Sequence, residues 1–106
     1  MRHDALSRFS DVSFLVLSSL AEGPKHGYAM IQDIEQFSGT RLEPGTLYGA
    51  ISRLERQGWI EALPAEDRRR PYCVTPDGLA ALQAYVRTLE QVVSVGRRRL
   101  VDAGNP

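Results

Sequence analysis

The chain has 106 residues, 42% apolar and 25% charged, with 13 basic side chains balanced by 13 acidic ones. That length holds one domain with a small core, and no apolar run approaches the roughly 20 residues that span a bilayer. The single cysteine, Cys73, excludes an internal disulfide and fits a reducing compartment. The N-terminus has no signal-peptide layout, so the expected location is cytoplasmic.

Residues 1–9 read as a loose arm that joins the first helix near Ser10 or Asp11, either of which can cap it. From Val12 to Ala21 almost every position is apolar. A helix that is apolar all round must be covered on more than one side, and in so small a protein this predicts cover from a partner chain as well as from its own domain. Glu22-Gly23-Pro24 ends the element. A second helix is expected from about His26 to Phe37, with Met30, Ile31, Ile34 and Phe37 at helical spacing, broken by Ser38-Gly39-Thr40.

The third helix opens at Pro44, whose missing N–H is no loss at a first helical position, and stops at Gly58. At 100° per residue, Leu47, Ala50, Ile51 and Leu54 share one face. The opposite face carries Gly45, Gly49, Ser52 and Arg56, flanked by Tyr48 and Arg53. Bulk is missing from that face. A glycine inside a helix costs up to about 1 kcal/mol relative to alanine, so an exposed Gly49 needs a reason, and close approach to another backbone is one. Two short strands follow, at 59–63 and 71–75, with a polar tip at 64–70 that contains Arg68, Arg69 and Arg70.

Thr75 can cap the last helix, with Pro76 at its first position. Leu79, Leu82, Val86, Leu89, Val93, Gly96 and Leu100 follow at alternating steps of three and four, a heptad seam in which only Gly96 is out of character. The seam can pack on its own domain or on another chain. Tyr85 and Val92 beside it supply a second apolar edge for the domain, which leaves the seam for a homodimer. Arg97, Arg98 and Arg99 place positive charge at the negative end of the helix dipole.

A helix followed at once by a basic hairpin is the layout of a winged helix-turn-helix, whose helix enters the DNA major groove while the hairpin tracks phosphates. The expected fold class is mainly α with a small β-hairpin: a winged helix-turn-helix over 10–75, a long C-terminal dimerisation helix over 76–103 and a tail over 104–106. On the recognition helix, 44–57, Arg53 and Arg56 reach base edges or phosphates, or else pair with Glu55 and Glu61 at the surface. Thr46 and its neighbours offer backbone N–H groups to a phosphate. In the wing, 59–75, Arg68, Arg69 and Arg70 clamp the DNA backbone, or else merely keep a sheet edge soluble.

Charge distribution fits this modestly. Residues 1–43 hold four basic and six acidic side chains, 44–74 hold five arginines against four acids, and 75–106 hold four against three. Two histidines, one cysteine and scattered acids form no catalytic or metal-ligand pattern, so neither an enzyme nor a cofactor is expected. Cys73 reads as a small half-buried residue, and His26 as a surface residue near phosphate. The alternative function is a winged-helix protein-interaction module, an antirepressor or adaptor without DNA binding, which zero net charge and the acids near the wing keep open.

The residues also carry a resemblance. Leu15 to Leu20 leading into Gly23-Pro24-Lys25-His26-Gly27-Tyr28, then Gly45-Thr46-Leu47-Tyr48, Leu54-Glu55 with Gly58-Trp59-Ile60, Arg69-Arg70-Pro71-Tyr72 and Thr75-Pro76-Asp77-Gly78 together make the chain similar to the PadR family of bacterial transcriptional regulators. The resemblance implies a dimeric winged-helix repressor of the short subfamily that acts on operator DNA. It also implies that Tyr28 and Tyr48 face that DNA. Some small relatives bind flat aromatic compounds between aromatic residues of the last helix. Here Tyr85 is the only aromatic in that helix, and the candidate pocket for a small hydrophobic effector is instead Phe9, Phe14, Tyr85, Leu89 and Val92.

Overall fold

A computed structural model describes residues 12–104. The arm at 1–9, the cap at Ser10 or Asp11, and Phe9 lie outside the described residues. In chain order the elements are α1 (Val12–Ala21), β1 (Lys25–His26), α2 (Gly27–Ser38), α3 (Pro44–Gln57), β2 (Ile60–Ala62), β3 (Pro71–Val74) and α4 (Pro76–Asp102).

The sheet is larger than the expected hairpin. Its three antiparallel strands run in the order β1-β3-β2. Glu61 lies opposite Cys73 and Ile60 opposite Val74, while Lys25 and His26 face Tyr72 and Pro71 on the other edge of β3. β1 thus ties the α1–α2 turn to the base of the wing.

α1 is the centre of the fold, packed by α2, α3, α4 and β3. Val16, Leu17 and Leu20 of α1 meet Met30, Ile31 and Ile34 of α2, Leu47, Ala50, Ile51 and Leu54 of α3, and Ile60 of β2 in one core. Three helices and a strand of its own domain bury Val16, Leu17, Ser19 and Leu20 of α1, with Phe14 and Leu15 packed at the margin of the core, while Ser18 and Ala21 stay exposed on the side left open to a partner chain. Leu42, in the α2–α3 connection, also joins the core. Phe37 does not: it is 50% exposed, and the buried stripe of α2 ends one turn earlier at Ile34.

One polar network crosses this interior. The buried Ser19 hydroxyl donates to Asp33 at 2.7 Å. Lys25 Nζ donates to the Ser19 carbonyl and lies 3.0 Å from Glu22 and 3.8 Å from Asp33. Buried polar groups cost free energy unless paired, and here the pairing fixes the angle at which α1 turns into α2.

α2 and α3 each end on a left-handed glycine, Gly39 and Gly58, both at φ 76°. α4 begins at a tight joint. The Thr75 hydroxyl accepts from the Gly78 amide at 3.1 Å and donates to the Gly58 carbonyl at 2.7 Å, while the Thr75 amide donates to the Trp59 carbonyl at 2.9 Å. The first turns of α4 rest on the domain through Leu82 and through Tyr85, whose ring stacks on Phe14. Beyond Tyr85 the helix leaves the domain, and the molecule is accordingly elongated, 56 × 29 × 20 Å.

Candidate nucleic-acid interface

α3 divides as its spacing requires. Leu47, Ala50, Ile51 and Leu54 are buried, while Gly45, Thr46, Ser52, Arg53 and Arg56 are exposed and Gly49 is half-exposed. A Cβ at Gly45 would meet nothing within 4 Å, and one at Gly49 only the Arg53 guanidinium at 3.8 Å. Both glycines therefore open outward, and no packing inside the chain accounts for them. Glu43 makes no side-chain cap, so the Gly45 and Thr46 amides in the first turn of α3 keep their hydrogens for an outside acceptor. Among the described residues neither Arg53 nor Arg56 forms an ion pair, so pairing with Glu55 or Glu61 does not occur.

Two tyrosines extend this face. Tyr28, at the start of α2, is 61% exposed and Tyr48 is 48% exposed. The Tyr48 ring lies directly over Gly27: a Cβ there would run into the phenolic oxygen and stand 2.7 Å from Cζ. Gly27 is thus the space in which Tyr48 sits, a role that the Gly27-Tyr28 pair alone does not disclose.

The wing tip is a two-residue turn. Glu66 and Arg69 exchange backbone hydrogen bonds of 2.6 and 2.7 Å around Asp67 and Arg68. Those two residues have φ of 47° and 71°, the pair of positive angles that marks a type I′ hairpin turn. The three arginines consequently differ. Arg70 donates to the Leu63 carbonyl at 2.9 Å, and Arg69 lies 3.3 Å from His26 Nε2 on β1. Arg68 projects from the apex with no partner among the described residues. His26 is a half-buried strand residue lining a cleft of about 400 Å³ with Glu66, Asp67 and Arg69, rather than a free surface group.

Cys73 is half-buried on β3. Burial pushes its thiol pKa up, and the neighbouring Glu61 carboxylate adds to the effect. Burial likewise raises the Tyr72 hydroxyl, with Glu55 reinforcing it. Trp59 packs under the wing, its ring 6.1 Å from Phe14.

Along α4, Leu79, Val86, Leu89, Val93 and Leu100 are exposed, while Leu82 packs on its own core. The four described residues of the expected effector pocket do not enclose one cavity. Phe14 and Tyr85 stack face to face, 3.8 Å between centroids and 5° between planes, leaving no room between them. Leu89 lines a groove of about 540 Å³ with Val86, Glu90, Val93, Ser94, Arg97 and Arg98. Val92, 61% exposed rather than packed on the domain, lines a separate groove of about 300 Å³.

Among the described residues there is no group of acids, histidines and cysteine suited to a metal ion, and no helix long and apolar enough to cross a membrane.

Comparison with known proteins agrees with this arrangement. The model of the PadR-like family of transcriptional regulators matches residues 16–84. A 37.1 kDa protein of transposon TN4556 from Streptomyces fradiae is 45% identical over 85 residues; the match takes in 80% of this chain but a quarter, 25%, of that protein. The transcriptional regulator Rv3488 of Mycobacterium tuberculosis is 38% identical over 80 residues, 73% of this chain and 74% of the relative. A transcriptional regulator from Clostridium thermocellum superposes with a TM-score of 0.77 at 28% identity, over 92% of this chain and 96% of its own. Members of this family are regulators rather than enzymes. With a winged helix-turn-helix, an outward face of small and basic residues and a family match over most of its length, the chain belongs to the PadR-like family of transcriptional regulators.

Proposed function

We propose that the protein binds duplex DNA as a homodimer and represses transcription from a pseudo-palindromic operator. The DNA-binding unit spans 10–75 and the dimerisation helix 76–103. The observation that carries the reading is the outer face of α3, where two glycines that pack against no other element stand beside Ser52, Arg53 and Arg56. Such a face lets the helix axis sink into a major groove while the arginines reach guanine edges. The Gly45 and Thr46 amides hold a phosphate at the helix start, Tyr28 and Tyr48 flank the groove, and Arg68 on the wing apex meets the backbone beyond it. Exposed Leu79, Val86, Leu89, Val93 and Leu100 support dimerisation. A twofold pair would set two recognition helices in successive major grooves roughly 34–36 Å apart.

The test is fluorescence anisotropy on a duplex from upstream of the protein's own gene, at several salt concentrations, with scrambled DNA as control. Tight preference for the upstream duplex, lost about tenfold in Arg56→Ala, is the expected result, since one bidentate arginine discriminates by about 1–3 kcal/mol. No binding to either duplex at low salt overturns the DNA reading and leaves a protein-interaction module.

A further inference from the structure

We infer that α4 pairs with α4 of a second copy in one defined register: antiparallel, crossing at Val93, with Leu89 of each chain seated against Gly96 of the other and Glu90 of each paired with Arg97 of the other. This rests on the dimer reading above and deepens it by fixing direction and contacts.

The groove on α4 is self-complementary. Its floor is Val86, Leu89 and Val93, and its polar wall carries Glu90 before the midpoint and Arg97 after it. At 1.5 Å per residue, Glu90 lies about 4.5 Å to one side of Val93 and Arg97 about 6 Å to the other. A twofold axis through Val93 reverses the partner helix and brings each Glu90 level with the partner's Arg97, to within about 1.5 Å along the axis. The same operation sets Val86 level with the partner's Leu100. It sets Leu89 beside the partner's Gly96, on the opposite flank from the charges. A twofold axis perpendicular to two antiparallel helices keeps each flank facing its own copy, and the 100° wheel places Glu90 with Arg97 and Leu89 with Gly96 on common flanks. A parallel pair would leave Glu90 and Arg97 about 10 Å apart along the axis and never join them.

Two further features agree. A Cβ at Gly96 would meet nothing within 4 Å, so the glycine serves no packing inside the chain. Inside a helix it costs about 0.5–1 kcal/mol relative to alanine, and a socket for an incoming leucine explains why it is there. The overlap also fits the free part of the helix. The register pairs residues 86–100 of one chain with 100–86 of the other, and from Val86 onward α4 leaves the domain. Leu79 and Leu82 fall outside the overlap, and Leu82 is the seam residue that packs on its own core.

The experiment uses full-length protein in a Cys73→Ala background, a short thiol cross-linker and light scattering. Val93→Cys should link to itself. Leu89→Cys and Gly96→Cys should each fail to do so alone but link to one another when the two proteins are mixed and re-equilibrated. Glu90→Arg and Arg97→Glu should each weaken the dimer by about fivefold, two exposed pairs per dimer being modest contributors, and the double variant should return to within about twofold of the parent. Self-linking at positions 89, 93 and 96 alike would establish a parallel pair and overturn the register while leaving the dimer. Dimers without any of these links would place the interface elsewhere. A monomer by light scattering would overturn the dimer reading itself, and a small apolar compound that raises its melting temperature would then identify the groove as a ligand site.

Discussion

Replacing Gly78 with alanine should destabilise the protein far more than the same change elsewhere, because its missing Cβ is the space into which the recognition helix and wing are locked. A methyl group there would run into the Trp59 carbonyl oxygen and stand 2.8 Å from Val74 Cγ2 and 2.9 Å from the Trp59 carbonyl carbon. Those backbone atoms cannot rotate away, since the Trp59 carbonyl already accepts from the Thr75 amide at 2.9 Å. Relief requires α4 to back off, which breaks that bond and the 3.1 Å cap from the Gly78 amide to Thr75. Overpacking costs about 1–3 kcal/mol, and the cap and the hydrogen bond about 1 kcal/mol each. Alanine's better helix propensity offsets up to about 1 kcal/mol, leaving a net loss of roughly 2–4 kcal/mol. For a domain of this size each kcal/mol moves Tm by about 4–8 °C, so thermal unfolding by circular dichroism should show a drop of roughly 8–32 °C. Gly49→Ala, whose Cβ meets only the mobile end of Arg53 at an ordinary 3.8 Å, should not lower Tm and can raise it. Protomer concentration must be held fixed, because subunit association contributes to Tm. A Gly78→Ala protein melting within two or three degrees (on the order of 0.5 kcal/mol) of the parent would refute the account of the joint.

Gly27→Ala should behave differently from both, since the atoms in its way are the end of the Tyr48 side chain, which can swing aside; stability should change by less than about 1 kcal/mol while DNA affinity, read by anisotropy, falls. Arg68→Gln should reduce the slope of log affinity against log salt by about 0.9 without altering Tm, as expected for one phosphate contact, and an unchanged slope would remove Arg68 from the DNA. Arg70→Gln, by contrast, loses the 2.9 Å bond to the Leu63 carbonyl and should raise amide exchange at the wing base. Cys73 should react slowly with thiol reagents at neutral pH, because burial and the Glu61 carboxylate raise its pKa above the ordinary thiol value. Cys73 and Tyr72 both titrate upward on folding. The folded state therefore holds these protons more tightly, and stability present below about pH 8.5 should be lost as pH rises through the two raised values, as alkaline melting curves would show.

Much of this fold is legible in the amino-acid order because its helices are punctuated chemically. Pro44 and Gly58 bracket α3, and Thr75-Pro76 opens α4 where the periodicity begins. What escapes the order is what depends on distant pairing. β1 is two residues long, and its partner lies more than forty positions away on β3, so Lys25-His26 reads as loop until the wing folds beside it. The apolar surround of α1 signals burial but does not say by what; only the fold shows that α2, α3, α4 and β3 pack on it. The triplet Arg68-Arg69-Arg70 reads as one basic patch. Only the Asp67-Arg68 turn, with its paired positive φ, reveals that one arginine points outward while its neighbours fold back on His26 and Leu63. On α3 the outward face followed directly from spacing, whereas the seat of Tyr48 on Gly27 required two helices to meet.

The joint at Thr75 and Gly78 makes α4 a lever rather than a tether. In a pair crossing at Val93, the arm back to Pro76 is about 17 residues, or ~26 Å. A rotation of ~8° at the crossing would carry each wing about 3.5 Å, close to one base-pair step along a DNA strand. A rigid joint would pass that displacement on undiminished, so in the proposed dimer the angle between the two long helices would act as a caliper for operator spacing, and a compound wedged near Val93 would reset the gauge without touching α3 or the wing.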